Sequence, residues 1–222
     1  MDDPGLCREA SERALSGLRR VNRLLLAALP VRRVLLPRLV AGPARQTLLD
    51  LGTGGGDVAD ALRRAAGRRG VTLTVVGLDR KLSHLLVGRR WGTSQLRVVA
   101  LAGALPFREG SCDWALSTLF FHHFGLEENR RILREMRRVA RRGALIVDLR
   151  RSRLARLLAR LLLPLLRIGP VASHDGRLSV DQAWDLGEVA ELLRDQPIAE
   201  LRRRFPCRFS MVVTPAEPER SA

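Results

Sequence analysis

Apolar runs alternate with amphipathic stretches through the middle of this 222-residue chain. Short apolar or β-branched runs are typical of strands, and apolar residues spaced three and four apart are typical of helices. The runs that predict strands are 47–51, 72–79, 96–101, 112–120 and 144–149. These strands are continuously apolar, which is typical of parallel strands buried on both faces. We therefore predict an α/β fold, with a mostly parallel sheet and helices on both of its faces.

Leucine- and arginine-rich stretches flank this alternation. The N-terminal one predicts helices interrupted by prolines, and the one that follows the fifth strand is broken at Pro164. A polar loop, a helix and a closing antiparallel pair of strands are predicted next, over 171–181, 182–195, 198–205 and 207–214. The predicted organisation has four parts: an N-terminal helical cap (1–43), a single domain (44–214), a lid or substrate insertion within that domain (150–182) and a flexible tail (215–222).

The composition changes this picture little. The net charge of +16 suggests a nucleic-acid partner, but the arginines that carry it are dispersed, and aromatic residues make up only 4%. We therefore disfavour a nucleic-acid partner and keep contact with an anionic membrane surface as an alternative. Three scattered cysteines without CxxC spacing predict neither a disulfide framework nor a metal site. With no secretory signal at the N-terminus, a cytoplasmic protein is expected.

The stretch "LLDLGTGGGDVADAL" (48–62) is the first candidate for chemistry. Asp50 ends a predicted strand, four glycines follow, and a helix begins near Asp57. Glycine serves where the backbone takes positive φ or lies close to a ligand, and ligands of such sheets bind beyond the carboxyl ends of the strands. Asp79 ends the next strand, where an acid can accept hydrogen bonds from ribose hydroxyls. The turn therefore predicts a nucleoside-containing ligand, and without GK[ST] it is not a phosphate loop.

Several ordered motifs resemble those of the class I S-adenosylmethionine-dependent methyltransferases. "LLDLGTGGGDVA" resembles their first motif and "VVGLDR" their second, and "ALPFREGSCDWALSTLFFHHF" and "LREMRRVARRGALIVDL" resemble the later segments. The resemblance covers roughly residues 44–150 and is strongest to small bacterial quinone and polyketide methyltransferases. It implies a Rossmann-like seven-stranded sheet with one antiparallel strand at its edge, and S-adenosyl-L-methionine as cofactor.

The resemblance also implies a cofactor site at the ends of the first four strands. Asp50 would lie near the methionine end, the glycines would form the floor, Asp79 would bind the ribose and Arg80 would flank the adenine. Leu101 stands where many members carry an acid, so the adenine would rely on apolar packing from Leu101 and Leu105. The complete predicted set is Asp50, Gly52, Thr53, Gly54, Gly56, Asp79, Arg80, Leu101, Ala102 and Leu119.

Candidate catalytic residues follow the fourth and fifth strands. His122 and His123 come after the fourth strand, Asp148 ends the fifth, and His174 precedes Asp175 in the predicted loop. A histidine near the methyl group could deprotonate an acceptor hydroxyl, and an adjacent carboxylate could orient it. For each of these residues a packing or loop-capping role remains the alternative.

We expect methyl transfer to oxygen or carbon of a small apolar metabolite, such as a polyketide, a phenol or a quinone-like compound of secondary metabolism. The two leucine-rich stretches (18–40 and 150–167) would cover the cleft and line an apolar pocket. Alternatives are an RNA or protein methyltransferase and a cofactor-binding protein without catalysis. The motifs NPPY and DPPY, used to methylate exocyclic amines of bases, are absent. An NAD-dependent dehydrogenase with Tyr-x-x-x-Lys is disfavoured, because the chain contains no tyrosine.

Overall fold

The computed structural model describes residues 8–93, 95–165, 170–194 and 196–216. Within these ranges the strands are β1 (Arg45–Leu51), β2 (Thr72–Asp79), β3 (Leu96–Val99), β4 (Cys112–Thr118), β5 (Ala140–Leu149), β6 (Ile198–Arg204) and β7 (Arg208–Val213). The helices are α1 (Arg8–Leu24), α2 (Ala28–Val40), α3 (Asp57–Gly67), α4 (Leu82–Arg90), α5 (Leu126–Val139), α6 (Arg153–Leu165), α7 (Pro170–Gln182) and α8 (Leu186–Leu192), with a 3₁₀ turn at Phe121–His123.

The seven strands form one sheet in the order β3-β2-β1-β4-β5-β7-β6. Strands β1 to β5 pair in parallel, and β7 runs antiparallel to both β5 and β6. The antiparallel strand therefore lies one place in from the edge, rather than at the edge as expected. Every residue of β7 is buried, whereas β6 is arginine-rich and mostly exposed, so the polar strand takes the edge position.

Helices cover both faces of the sheet and close two apolar cores. Buried residues of α2 and α3 pack with β1 and β2 on one face. Buried residues of α5 and α8 pack on the other face, around side chains such as Ile132 and Val189. The predicted mostly parallel α/β sheet with helices on both faces is thereby confirmed.

The chain leaves helix α5 earlier than its pattern predicts. The amphipathic pattern extends to residue 143, yet β5 begins at Ala140, which pairs with Cys112 of β4. Gly143 takes φ +135°, and a Cβ atom there would lie 2.7 Å from the backbone oxygen of Val213. Sheet pairing thus overrides the helical pattern over these residues.

The predicted polar loop over 171–181 is wrong, because this segment belongs to helix α7. Proline is favoured in the first turn of a helix, and Pro170 is the first residue of α7. Gly176 lets α7 approach α6 closely: a Cβ atom there would lie 3.0 Å from the side chain of Leu163. Packing between the two helices therefore stabilises a helix that the polar sequence does not signal.

The two leucine-rich stretches form α1, α2 and α6. Three leucines of α6 are more than half exposed: Leu154, Leu157 and Leu161. No helix in the described ranges is long and apolar enough to cross a membrane. The domain boundaries and the expected contact with a membrane surface stay predictions, and residues 1–7, 166–169 and 217–222 of the predicted cap, insertion and tail lie outside the described residues.

Candidate active site

A cavity of about 1220 Å³ opens at the carboxyl edge of the parallel strands. Its floor is the glycine turn between β1 and α3, and one wall follows the ends of β2 and β4. Helices α1, α6 and α7 and the turn between β6 and β7 close its other sides. Most of the predicted cofactor residues line this cavity, which is where ligands of such sheets bind.

The glycine turn is shaped by close packing as well as by backbone conformation. Gly52, Gly54 and Gly56 have φ of +66°, +53° and +75°, which L side chains rarely adopt. A Cβ atom on Gly52 would lie 2.3 Å from the Phe120 ring, whereas one on Gly54 would meet only the Leu15 side chain, at 3.7 Å. Gly54 is therefore the glycine with open space above it.

Asp79 is fixed at the end of β2 by the glycine turn itself. Its carboxylate accepts hydrogen bonds from the backbone N–H of Gly54 (3.1 Å) and of Lys81 (2.9 Å). The Nδ1 atom of His84 lies 3.2 Å from the same carboxylate, and its Nε2 atom is buried without a partner among the described residues. Asp79, Arg80 and His84 all line the cavity, so this strand end presents polar groups to a ligand.

Asp50 ends β1 deep beneath the glycine turn. The Thr53 hydroxyl donates a hydrogen bond of 2.6 Å to its carboxylate. Burial raises the pKa of Asp50 to about 7, the Thr53 hydrogen bond opposes that rise, and the charges of Asp57 and Asp79 add to it. This carboxyl group therefore changes its charge near neutral pH.

His122 and Asp148 form a buried pair at the ends of β4 and β5. The Nδ1 atom of His122 lies 2.7 Å from Oδ1 of Asp148. Backbone N–H groups of Phe120, His122 and Leu149 also donate to this carboxylate. Burial raises the pKa of Asp148, but the charge and hydrogen bond of His122 outweigh it, and the net pKa lies below its ordinary value. The carboxylate thus stays ionised, and Nδ1 of His122 carries the proton.

The other nitrogen of His122 is the chemically available one. Nε2 is buried and has no hydrogen-bond partner in the described part of the chain, and His122 lines the cavity. His123 is exposed, also lines the cavity, and stacks on His122 with ring centroids 4.2 Å apart. The arrangement offers a proton acceptor whose tautomer and orientation Asp148 sets.

Comparison with solved structures shows which fold this is. A S-adenosylmethionine-dependent methyltransferase of Aquifex aeolicus is similar over 76% of this chain and 81% of its own, with a TM-score of 0.54 and 18% identity. The magnesium protoporphyrin IX methyltransferase of Synechocystis, solved with bound S-adenosylhomocysteine, is similar over 90% of this chain and 94% of its own, with a TM-score of 0.58 and 15% identity. At these identities the likeness establishes the fold.

Comparison with sequence families is more specific. Residues 49–147 match the model of a family described as a methyltransferase domain. The demethylmenaquinone methyltransferase of Thermotoga maritima is 36% identical over 103 residues, which are 46% of this chain and 42% of that protein. The central part of the chain, from β1 to β5, is therefore similar to methyltransferases. Its match spans less than half the length of this curated relative.

The fourth strand leads into a strained backbone. Leu119 has φ +54°, a conformation that costs energy for a residue with a Cβ atom and is concentrated at functional sites. The preceding residue, Thr118, lines the cavity and has a buried hydroxyl oxygen without a partner among the described residues. Leu119 was predicted as part of the cofactor site, whereas Thr118 was not.

The adenine side of the predicted site is only partly as expected. Leu101 lines the cavity and is 64% exposed, and Ala102 lies beside it. Leu105 is a residue of the apolar core and is not part of the cavity lining, so its expected contact with adenine is not supported. Residue 105 also donates its backbone N–H to Glu135 of α5, which draws this turn away from the cavity.

His174 does not join the other candidate residues. Helix α7 turns Asp175, Gly176 and Ser179 toward the cavity and leaves His174 exposed on another face. Its expected place in a substrate loop is therefore wrong, because the segment is helical and the helix sets which side chains face inward. In the described ranges, no group of three His, Cys, Asp or Glu side chains could hold a metal ion.

Helix α1 contributes side chains to the cavity that were not predicted from the sequence. The Arg19 guanidinium lies 4.5 Å from the centre of the Trp91 ring, and Arg19 and Asn22 both line the cavity. Burial raises the pKa of Asp57, a rise opposed in part by the charge of Arg19 and a hydrogen bond from Asn22. These contacts join residues far apart in sequence, and the leucine-rich pattern of α1 gave no signal for them.

Cys112 is excluded as a nucleophile on physical grounds. It opens β4 at the end of the strand opposite the cavity, and it is buried against the backbone oxygen of Val139 at 3.3 Å. Burial and the charge of Asp113 raise the pKa of Cys112 to about 12. A thiol with this pKa does not form the thiolate that nucleophilic chemistry needs.

Proposed function

We propose that this methyltransferase transfers a methyl group to oxygen, or to an activated carbon, of a small apolar molecule that carries an ionisable hydroxyl group. The observation that carries the proposal is the buried pair of His122 and Asp148 beside the cavity. A histidine held in this way is suited to remove a proton from a phenol or enol. Neither the fold nor the glycine turn alone would favour such an acceptor.

Residues around the glycine turn fit S-adenosylmethionine, which when bound supplies an electrophilic methyl group on a sulfonium. Several cavity-lining side chains have buried polar atoms without partners in the described ranges, among them Nε of Arg19, Nε2 of His84 and Oγ1 of Thr118. Buried polar groups are normally hydrogen-bonded, so these atoms favour a polar ligand. Asp79 would hold the ribose, the N–H groups near Gly54 would lie beneath it, and Arg19 would face the methionine carboxylate.

His122 would act as the general base. Its Nε2 accepts the proton of the acceptor hydroxyl, and Asp148 stabilises the imidazolium that results. The Asp148 carboxyl group lies 2.7 Å from Nδ1, where its negative charge is placed to stabilise the imidazolium. The remaining work of the chain is to hold the acceptor in line and to exclude water.

The cavity lining supports an apolar acceptor. Helices α1 and α6 present apolar side chains to the cavity: Leu15, Leu18, Val21, Ala155, Leu158 and Leu163. A pocket of this kind buries apolar rings and leaves a few polar groups to orient them. The name of the Thermotoga maritima relative, a demethylmenaquinone methyltransferase, also favours a quinone-like acceptor.

A methyl-transfer assay on variants tests this proposal. Labelled S-adenosylmethionine is incubated with a panel of apolar phenols and hydroxynaphthalenes, first with the unmodified protein and then with His122→Gln. Removing a general base is expected to lower the rate on the order of 10²- to 10⁴-fold. The matched control is His174→Gln, whose side chain is exposed outside the cavity and which should keep the original rate. An unchanged rate in His122→Gln would overturn the assignment.

A further inference from the structure

Arg208 is a buried charged residue that the proposed reaction does not use. It is the first residue of β7, is only 2% exposed and lines the cavity. Its Nη1 donates a hydrogen bond of 2.9 Å to the backbone oxygen of Leu25, between α1 and α2. Its Nε is buried without a partner among the described residues.

The charge of Arg208 lacks a direct counterion. Throughout the described ranges, no carboxylate forms an ion pair with its guanidinium. Asp148 exerts an attractive charge on it, but that carboxylate already binds His122 and three backbone N–H groups. A guanidinium remains protonated in proteins, and a buried charge is costly unless it is paired. An anionic group entering the cavity would supply the missing partner.

Arg208 and His122 line the same cavity. Arg208 lies opposite Leu149 in the pairing of β7 with β5, one residue beyond Asp148. Cross-strand partners point to the same side of a sheet, and both Arg208 and Leu149 line the cavity. A molecule whose hydroxyl group meets His122 can therefore extend toward the guanidinium.

The remaining hydrogen-bond donors of the Arg208 guanidinium suit a carboxylate. Because Nη1 is engaged by the backbone oxygen of Leu25, the edge formed by Nε and Nη2 is left. Two parallel N–H groups of a guanidinium match the two oxygens of a carboxylate, and this geometry is more specific than a point charge.

We propose that Arg208 binds a carboxylate of the methyl acceptor, so that the acceptor is an apolar hydroxy acid rather than a neutral phenol. This inference rests on the proposed function and adds a substrate class to it. The alternative is that Arg208 only holds the junction of α1 and α2 through Leu25.

Binding of two matched probes tests the inference. The protein is first saturated with S-adenosylhomocysteine, and 3-hydroxy-2-naphthoate and 3-hydroxy-2-naphthamide are titrated by calorimetry. The two differ in charge and little in shape. The unmodified protein should bind the naphthoate about tenfold or more tightly than the amide, because a charged hydrogen-bond pair is stronger than a neutral one.

Variants of Arg208 separate recognition from structure. Arg208→Met should abolish the preference while leaving the amide affinity and S-adenosylhomocysteine binding unchanged. Arg208→Lys retains the charge but loses the paired donors, so it should show a reduced preference. If Arg208→Met does not fold, the unmodified protein and the lysine variant still decide the question.

Three results would contradict the proposals, and each has a different consequence. Equal binding of both probes to the unmodified protein would overturn the role of Arg208 alone. Equal weakening of both probes in Arg208→Met would favour the structural role through Leu25. Failure of the folded protein to bind S-adenosylhomocysteine would instead overturn the proposed function itself.

Discussion

Three buried carboxyl groups lie near the carboxyl ends of strands β1, β2 and β5, and each has a different environment. Asp79 accepts two backbone N–H groups, Asp148 pairs with His122, and Asp50 has one hydroxyl donor and two acidic neighbours. The balance of burial against hydrogen bonding lowers the pKa of Asp148 and raises that of Asp50. The three carboxyl groups occupy similar positions in the fold, so burial and hydrogen-bond partners determine what each of them can do.

The raised pKa of Asp50 predicts a pH-dependent stability. The folded protein keeps the proton up to about pH 7, whereas the unfolded chain releases it near the ordinary value of 3.8. The folded state therefore binds more protons between these values, and this group lowers the free energy of unfolding as pH rises through that window. Asp50→Asn removes this titration. The free energy of unfolding of the variant, relative to that of the unmodified protein, should therefore be higher at pH 8 than at pH 5 by about 2–3 kcal/mol.

Urea unfolding at the two pH values measures this difference. Asp181→Asn is the matched control, since Asp181 is an exposed partner of Arg156. Its effect on the free energy of unfolding should be the same at both pH values. A gain for Asp50→Asn that does not change with pH would show that the carboxyl group titrates normally.

For single residues, the sequence predicted which side chains lie at strand ends better than it predicted which of them contact each other. His122 and Asp148 were both candidates, because both follow predicted strands. Their contact was not predictable, since 26 residues separate them and only the pairing of β4 with β5 brings them together. Arg208 gave no signal, because its burial depends on the closing strand β7 and on helix α1.

At the scale of elements, helix α4 is held against the glycine turn by a glycine of its own. A Cβ atom on Gly88 would lie 2.6 Å from the backbone oxygen of Gly55 and 3.1 Å from the Thr93 hydroxyl. That hydroxyl donates to the backbone oxygens of Gly55 and Gly88, at 3.0 and 2.9 Å. The helix and the turn therefore form one packed unit beneath the cavity.

Substitution of Gly88 should disrupt the packing of helix α4 against the glycine turn. Gly88→Ala is expected to destabilise the protein by about 1–3 kcal/mol, because backbone atoms cannot move aside as a flexible side chain can. Gly67→Ala is the matched control: Gly67 is also helical, and a Cβ atom there would meet nothing within 4 Å. The control should be neutral or stabilising by up to about 1 kcal/mol. Thermal unfolding checks both, and equal effects of the two substitutions would refute the close contact.

Helices with an amphipathic pattern were predicted well, whereas a helix that depends on packing against another helix was not. The strongly amphipathic α3 and α5 were expected, whereas α7 was taken for a loop because it contains Ser173, Asp175 and Gly176. Its contacts with α6 come from the tertiary structure. Helix α8 is shorter than predicted and begins at a capping box of Asp185 and Glu188, which the sequence analysis did not use.

At the scale of the whole molecule, the order of motifs determined the fold. Alternating strands and helices predicted the parallel sheet, and the ordered motifs implied its seven strands, which the structure confirms. The net charge of +16 did not help to locate the site, because surface arginines pair locally with acids on many elements. What the sequence could not supply was the cavity, because elements far apart in the chain close it.

Calorimetric titration with S-adenosylhomocysteine measures whether this cavity binds a methyl donor. We expect one site per chain with a Kd on the order of 1–100 µM. Binding should weaken at least about tenfold in Asp79→Ala, remain unchanged in Asp181→Asn, and be absent with NAD. A folded protein that binds no S-adenosylhomocysteine, or binds it equally well without the Asp79 carboxylate, would contradict the account.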